Sequence, residues 1–138
     1  MARDKDKPDA HANRDADAEH EDTFLPLPTA VFHILVALAD RDRHGYSIMQ
    51  DVAARTDGKV RLSAGTLYSA VRRMLEQGLI EEPRDSRHRG SPHRDNDDQR
   101  RRDYRLTQLG RRVALAEARR LRDMLSQAQA TGLIPRKL

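Results

Sequence analysis

Within eleven residues the chain places Ser63, Gly65, Thr66, Tyr68, Arg72 and Arg73. None of these is a nucleophile with a base beside it, and the chain contains no Gly-rich phosphate loop or nucleophile constellation. Hydroxyl donors next to guanidinium forks suit noncovalent recognition of phosphates and base edges instead. A second group of arginines follows closely: Arg84, Arg87, Arg89, Arg94, Arg100, Arg101 and Arg102. Among them His88 and His93 stand near Asp95, Asp97 and Asp98, a ligand set that could suggest a metal. A metal site needs a scaffold that fixes its geometry. This stretch has no helical or strand pattern, so no metal, cofactor or catalytic residue is assigned.

The elements that position these residues can be read from periodicity. Leu67, Val71, Met74, Leu75 and Leu79 recur at spacings of three and four, which is one face of a helix over 63–77. Ser63 is its N-cap candidate and Gly78 its stop. The donors listed above fall on its other side. An ordinary amphipathic surface helix would carry the same pattern, so its surroundings decide the reading.

Residues 25–28 (Leu-Pro-Leu-Pro) form an extended lead-in. A first core helix is expected from a Thr29 cap to about Asp40. Val31, Ile34, Leu35 and Leu38 form its stripe, and Phe32, Val36, Ala37 and Ala39 make it apolar on nearly every side. Such a helix is covered from more than one direction, and in a short chain the second cover is expected to be another subunit. His33 in this helix is read as a packed histidine. Residues 40–45 are a polar turn, and a second helix runs from about Tyr46 to Thr56 with Ile48 and Val52 inward. Asp57-Gly58 is a turn signal, and residues 59–62 alternate well enough for a short extended segment. Residues 79–82 start a strand that Pro83 limits. Residues 84–100 are expected as a long flexible loop, and residues 101–106 as the returning strand of a hairpin. Thr107 caps a final helix to about Ala130. Its Ala114, Ala118, Leu121, Leu125 and Ala128 are spaced like a coiled-coil seam, with Val113 and Met124 widening it.

Composition narrows the classes. The chain has 138 residues, 37% hydrophobic and 35% charged, so its core is small and one domain is expected. Cysteine is absent, which excludes disulfides and thiolate chemistry. No apolar run approaches about 18 residues, so no membrane span is expected. The polar, acidic start does not read as a signal peptide, which places the chain in the cytoplasm by default. The net charge of +4 is uneven. Residues 1–22 hold eight acids and four bases, leaving the remainder at +8. A basic body points to a polyanionic partner. The acidic segment 1–22 is expected to be disordered.

Helix, helix, helix, strand, basic loop, strand, helix is the order of a winged helix-turn-helix followed by a long C-terminal helix: mainly α with a small β-hairpin. This architecture brings the donor-bearing helix and the arginine-rich wing onto one face. The expected division is a tail (1–22), a DNA-binding domain (23–106, wing 79–106) and a C-terminal dimerisation helix with its tail (107–138).

Particular residues then carry a family resemblance. His44-Gly45-Tyr46-Ser47-Ile48, the run Leu62 to Met74, Gly78-Leu79-Ile80 and the run Arg101 to Gly110 resemble the PadR family of transcriptional regulators. The resemblance implies a homodimeric repressor that binds double-stranded DNA at an inverted repeat, with the third helix in the major groove. Carried over by position, it implies DNA contacts at Tyr46, Ser63, Gly65, Thr66, Tyr68 and Arg73. The wing adds Arg87, Arg89, Arg101 and Arg102. It also implies a C-terminal helix that crosses onto the partner, so that Phe32, Val36, Ala114, Ala118, Leu121, Leu125 and Ala128 form the dimer interface. A small-molecule effector between subunits would need a site that no residue in the sequence identifies. The competing reading is a winged-helix protein-interaction module without direct DNA binding; the clustered arginines stand against it.

Overall fold

The computed structural model describes residues 10–83 and 102–135, with side chains from Ala16 onward. In chain order these form α1 (Ala10–Asp22), α2 (Thr29–Asp40), β1 (Arg43–His44), α3 (Gly45–Arg55), α4 (Ala64–Glu76), β2 (Ile80–Glu81), β3 (Asp103–Leu106) and α5 (Gln108–Ala130). The expected wing tip lies outside the described residues.

The core is built around α2. Its Val31, Ile34, Leu35, Ala37 and Leu38 are all buried, and each large one removed from water contributes on the order of 2 kcal/mol. Around it pack Ile48 and Val52 from α3, Leu67, Val71 and Met74 from α4, and Val113 from α5. The three strands form one antiparallel sheet in the order β1-β3-β2. Ile80 pairs with Leu106, and both point into the core, while Glu81 pairs with Arg105 at the surface.

The exit of α4 and the entry of α5 share one joint. Gly78 has φ +77°, the left-handed conformation that glycine adopts without strain. It lets the Gly78 N–H reach the Leu75 carbonyl (3.2 Å) and the Leu79 N–H reach the Met74 carbonyl (3.0 Å). This pair of bonds is a Schellman stop. Thr107 then donates from its hydroxyl to the Gly78 carbonyl (2.6 Å) and from its N–H to the Leu79 carbonyl (3.1 Å). The same hydroxyl oxygen caps α5 by accepting the Gly110 N–H at 2.9 Å. Gly110 packs so closely that a Cβ there would overlap the Leu79 carbonyl.

Four local expectations are corrected. The segment 1–22 was expected to be disordered, but Ala10–Asp22 is helical; residues 1–9 lie outside the described residues. Alanines among the acids favour helix, and α1 docks on α5 through a Glu21–Arg112 ion pair of 2.7 Å. Thr29 does not cap α2. It is the first helical residue, Pro28 holds the cap position, and no side chain caps this end.

The polar turn 40–45 contains β1. Arg43 is buried because every part of its guanidinium finds an acceptor. It reaches the Ala37 carbonyl (2.9 Å), Asp40 (2.9 Å), Asp51 (3.0 Å) and Ser47 (3.2 Å). Its neighbour His44 caps α3, with Nδ1 accepting the Ser47 N–H at 3.1 Å. Finally, residues 59–62 join no strand. The Val60 N–H bonds the Thr56 hydroxyl (3.0 Å), which folds this segment back onto the end of α3.

Candidate nucleic-acid interface

α4 presents two faces that differ in chemistry. Leu67, Val71 and Met74 are buried beneath it. Gly65, Thr66, Ser69, Arg72 and Arg73 are exposed above. Its first residues, Ala64 and Gly65, are exposed as well, and backbone amides at a helix N-terminus favour an anion. Ser63 accepts the Thr66 N–H at 3.1 Å and donates its hydroxyl to the Thr66 hydroxyl oxygen at 3.0 Å. Its side chain therefore organises the helix start, although the residue itself is exposed. At Gly65 nothing in the protein lies within 4 Å of where a Cβ would be. The fold does not require glycine there, whereas close backbone approach by a ligand would.

Tyr46 is exposed at the start of α3, with 54% of its surface free. Tyr68 turns the other way. Its hydroxyl is buried, and a Cβ at Gly45 would stand 2.5 Å from that oxygen. Tyr68 thus sets how closely α3 and α4 approach, and its hydroxyl lies inward over Gly45. The Arg43 cluster fixes α3 against α2 in turn, joining Asp40 of α2 to Asp51 of α3.

The two arginines of α4 lie on opposite flanks. Arg73 borders a shallow hollow of about 240 Å³ with Phe24, Leu27, Pro28 and Val31 of the lead-in and α2. Arg72 borders a cleft of about 200 Å³ shared with the wing root, where Glu82, Arg102 and Tyr104 form the other wall. Arg102 pairs with Glu82 at 3.5 Å. Tyr104 is buried, and burial, reinforced by the Glu82 charge, pushes its pKa up to about 12. Arg87, Arg89 and Arg101 lie outside the described residues, as do His88 and His93. Among the described residues no group of three acids and histidines could hold a metal.

The residues expected at a subunit interface fall into two sets. Phe32, Val36, Ala114 and Ala118 line one apolar groove of about 300 Å³ between α2 and α5, together with Leu115. Leu121 and Leu125 lie further along α5 and are exposed, while Ala128 is half-buried. Sequence reasoning missed Glu117, which is fully buried on the inner face of α5. Its carboxylate accepts the Leu27 N–H at 2.7 Å and a bond from Arg120 Nε. The Arg120 bond, helped by the Leu27 N–H and opposed by burial, holds its pKa below the usual carboxylate value.

A helix-turn-helix whose second helix is exposed along its polar side, followed by an antiparallel wing, defines a winged helix-turn-helix protein. The family model described as "Transcriptional regulator PadR-like family" matches residues 34–116. That is more than half of the chain, and the chain belongs to this family. It is a family of transcriptional regulators and not of enzymes. An uncharacterized protein of Lysinibacillus sphaericus is 31% identical over 78 residues, 56% of this chain. The match spans 64% of that relative, less than two thirds of its length. Among solved structures, a PadR family transcription regulator from Clostridium difficile R20291 superposes with a TM-score of 0.56 at 22% identity, covering 78% of this chain and all of that one. A transcriptional regulator from Clostridium thermocellum gives a TM-score of 0.54, also at 22% identity, over 78% of this chain and 90% of that one. At this identity the two structures speak to the fold. No helix among the described residues is long and apolar enough to cross a membrane.

Proposed function

We propose that this regulator binds double-stranded DNA as a homodimer in the cytoplasm and represses transcription from an inverted-repeat operator. The observation that carries the reading is the outer side of α4, where Gly65, Thr66, Ser69, Arg72 and Arg73 are all exposed, from the capped N-terminus to the last turn. An α-helix of this kind fits the major groove, and its arginines and amides suit phosphates and base edges. Tyr46 stands beside it, and the wing root supplies Arg102. The dimer is supported by the apolar groove between α2 and α5 and by the exposed Leu115, Leu121, Met124 and Leu125. A two-fold dimer reads two half-sites, which calls for an inverted repeat.

The test is a gel shift on the duplex upstream of the protein's own gene. Wild type is expected to bind at low salt, with affinity falling as salt rises. Arg73→Ala, at an exposed position that leaves the fold intact, is expected to weaken binding by about 1–3 kcal/mol if it meets a base, or to flatten the salt dependence if it meets a phosphate. Absence of binding at low salt, together with capture of a protein partner that survives high salt, would sink this reading in favour of an interaction module.

A further inference from the structure

The cleft between α4 and the wing root contains a carboxylate where a phosphate-binding surface would carry only cations. Arg72 stands on the α4 wall and is exposed. Arg102, with 42% of its side chain free, stands on the wing wall, and Glu82, only 19% free, pairs with it at 3.5 Å. Buried Tyr104 forms the floor and stays neutral, so the charges in the cleft come from two arginines and one glutamate. Because Glu82 is mostly enclosed, water screens it less than it screens the acids at the surface. A guanidinium fork offers the same geometry to a carboxylate and to a phosphate.

We propose that Glu82 is an internal competitor for the backbone phosphate of DNA: it occupies Arg102 in the free protein and sets the affinity threshold of the Arg72–Arg102 cleft. The proposal rests on the DNA-binding reading and deepens it by naming the residue that restrains the site. When a phosphate enters, Arg102 exchanges its bond to Glu82 for a bond to the phosphate, with Arg72 closing from the α4 side. The Glu82 charge then remains near the phosphate and opposes it. Affinity is thereby kept below what the two arginines alone would reach. Such a restraint favours sites where α4 adds base contacts over sites that offer only backbone.

The experiment measures binding of the full chain to a mixed-sequence duplex, since backbone contacts do not depend on sequence. Wild type, Glu82→Gln, Arg102→Ala and the double variant are compared, each checked for an unchanged melting temperature. Glu81→Gln serves as the control, because Glu81 is the exposed neighbour on β2, set opposite Arg105. Glu82→Gln is expected to tighten binding about two- to fivefold, the range of an ion pair of up to about 1 kcal/mol. Glu81→Gln should do less, and the Glu82→Gln gain should disappear when Arg102 is already alanine. Arg72→Ala should weaken binding and lower the log–log salt slope by about 0.9. If Glu82→Gln matches Glu81→Gln, or keeps its gain without Arg102, the competitor role is wrong while DNA binding stands. If wild type binds no duplex at low salt, the DNA-binding reading falls and this inference falls with it.

Discussion

The two halves of α5 have the same composition class but opposite surroundings. The helix is 23 residues long, or roughly 35 Å. In its first half Gly110, Val113 and Glu117 are buried against the chain's own lead-in, α2 and wing root. Beyond Arg120 the picture reverses: residues 121–127 are all exposed, Leu121, Met124 and Leu125 among them. One subunit therefore uses half of this helix. The first half behaves as a domain core and is specified by close contacts. The second half presents an apolar stripe in the pattern of a helix that expects a neighbour. In the proposed dimer, the same helix is thus structural glue in one half and an adhesive between subunits in the other.

The sharpest way to break this contrast is at Gly110. A Cβ there would run into the Leu79 backbone, and backbone cannot rotate aside as a side chain can. Gly110→Ala is expected to cost about 3 kcal/mol or more, above the usual range for overpacking. It would separate α5 from the α4 exit and so misplace the wing as well. Gly65→Ala is the matched control, since the space there is open. It should leave stability unchanged or raise it by up to about 1 kcal/mol, while loss of DNA affinity would point to close backbone approach. Urea denaturation of the two variants compares them directly. A Gly110→Ala protein as stable as wild type would show that the joint is loose.

Glu117 tests the same half with a smaller effect. Glu117→Leu would leave the partly buried Leu27 N–H and the Arg120 guanidinium without this acceptor, at a cost of about 1–3 kcal/mol. The charge also gives a pH signature. Folding lowers the Glu117 pKa, chiefly through Arg120. Its stabilising effect is therefore fully present above the ordinary glutamate value and is lost as pH falls through the lower folded-state value. Between neutral pH and about pH 4 and below, wild type should lose more stability than Glu117→Gln. Parallel pH profiles for the two proteins would show that Glu117 contributes no charge-dependent stability.

What the sequence made legible follows from which signals are periodic. α4 and α5 were readable because each combines a long apolar stripe with a hydroxyl cap, Ser63 or Thr107, and because Gly78 marks the stop between them. β1 was not, because two residues have no period, and Arg43 reads as surface charge until Asp40, Asp51 and the Ala37 carbonyl close around it. α1 was misread because its charge outweighed its alanines; the docking surface that retains it lies some ninety residues away, at Arg112. Glu117 gave a usable signal that charge concealed. Gly110, Val113 and Glu117 follow the three-four spacing of an inner face, so an acid there calls for a buried partner. At the candidate interface the exposed side of α4 was legible. The inward turn of Tyr68 was not, since it depends on the space over Gly45.

The second half of α5 is where a change should leave the single subunit nearly untouched. Leu121 and Leu125 are about 40% exposed and stand outside the core cluster, so replacing both with aspartate leaves the core of one chain intact. The intrinsic stability of a subunit should fall by only about 1 kcal/mol, mostly from the weaker helix propensity of two aspartates. Association should change completely. Two unpaired carboxylates in an apolar helix contact cannot be solvated, and such burial costs several kcal/mol. Sedimentation at a range of concentrations is therefore expected to show wild type as a dimer and the double variant as a monomer. The melting temperature of wild type should rise with concentration, as mass action requires when only the folded dimer associates, and that of the variant should not. If the variant remains dimeric, the stripe is not the contact. The groove bounded by Phe32, Val36 and Ala118 would then have to hold the subunits together without it, and the asymmetry between the halves of α5 would need another cause.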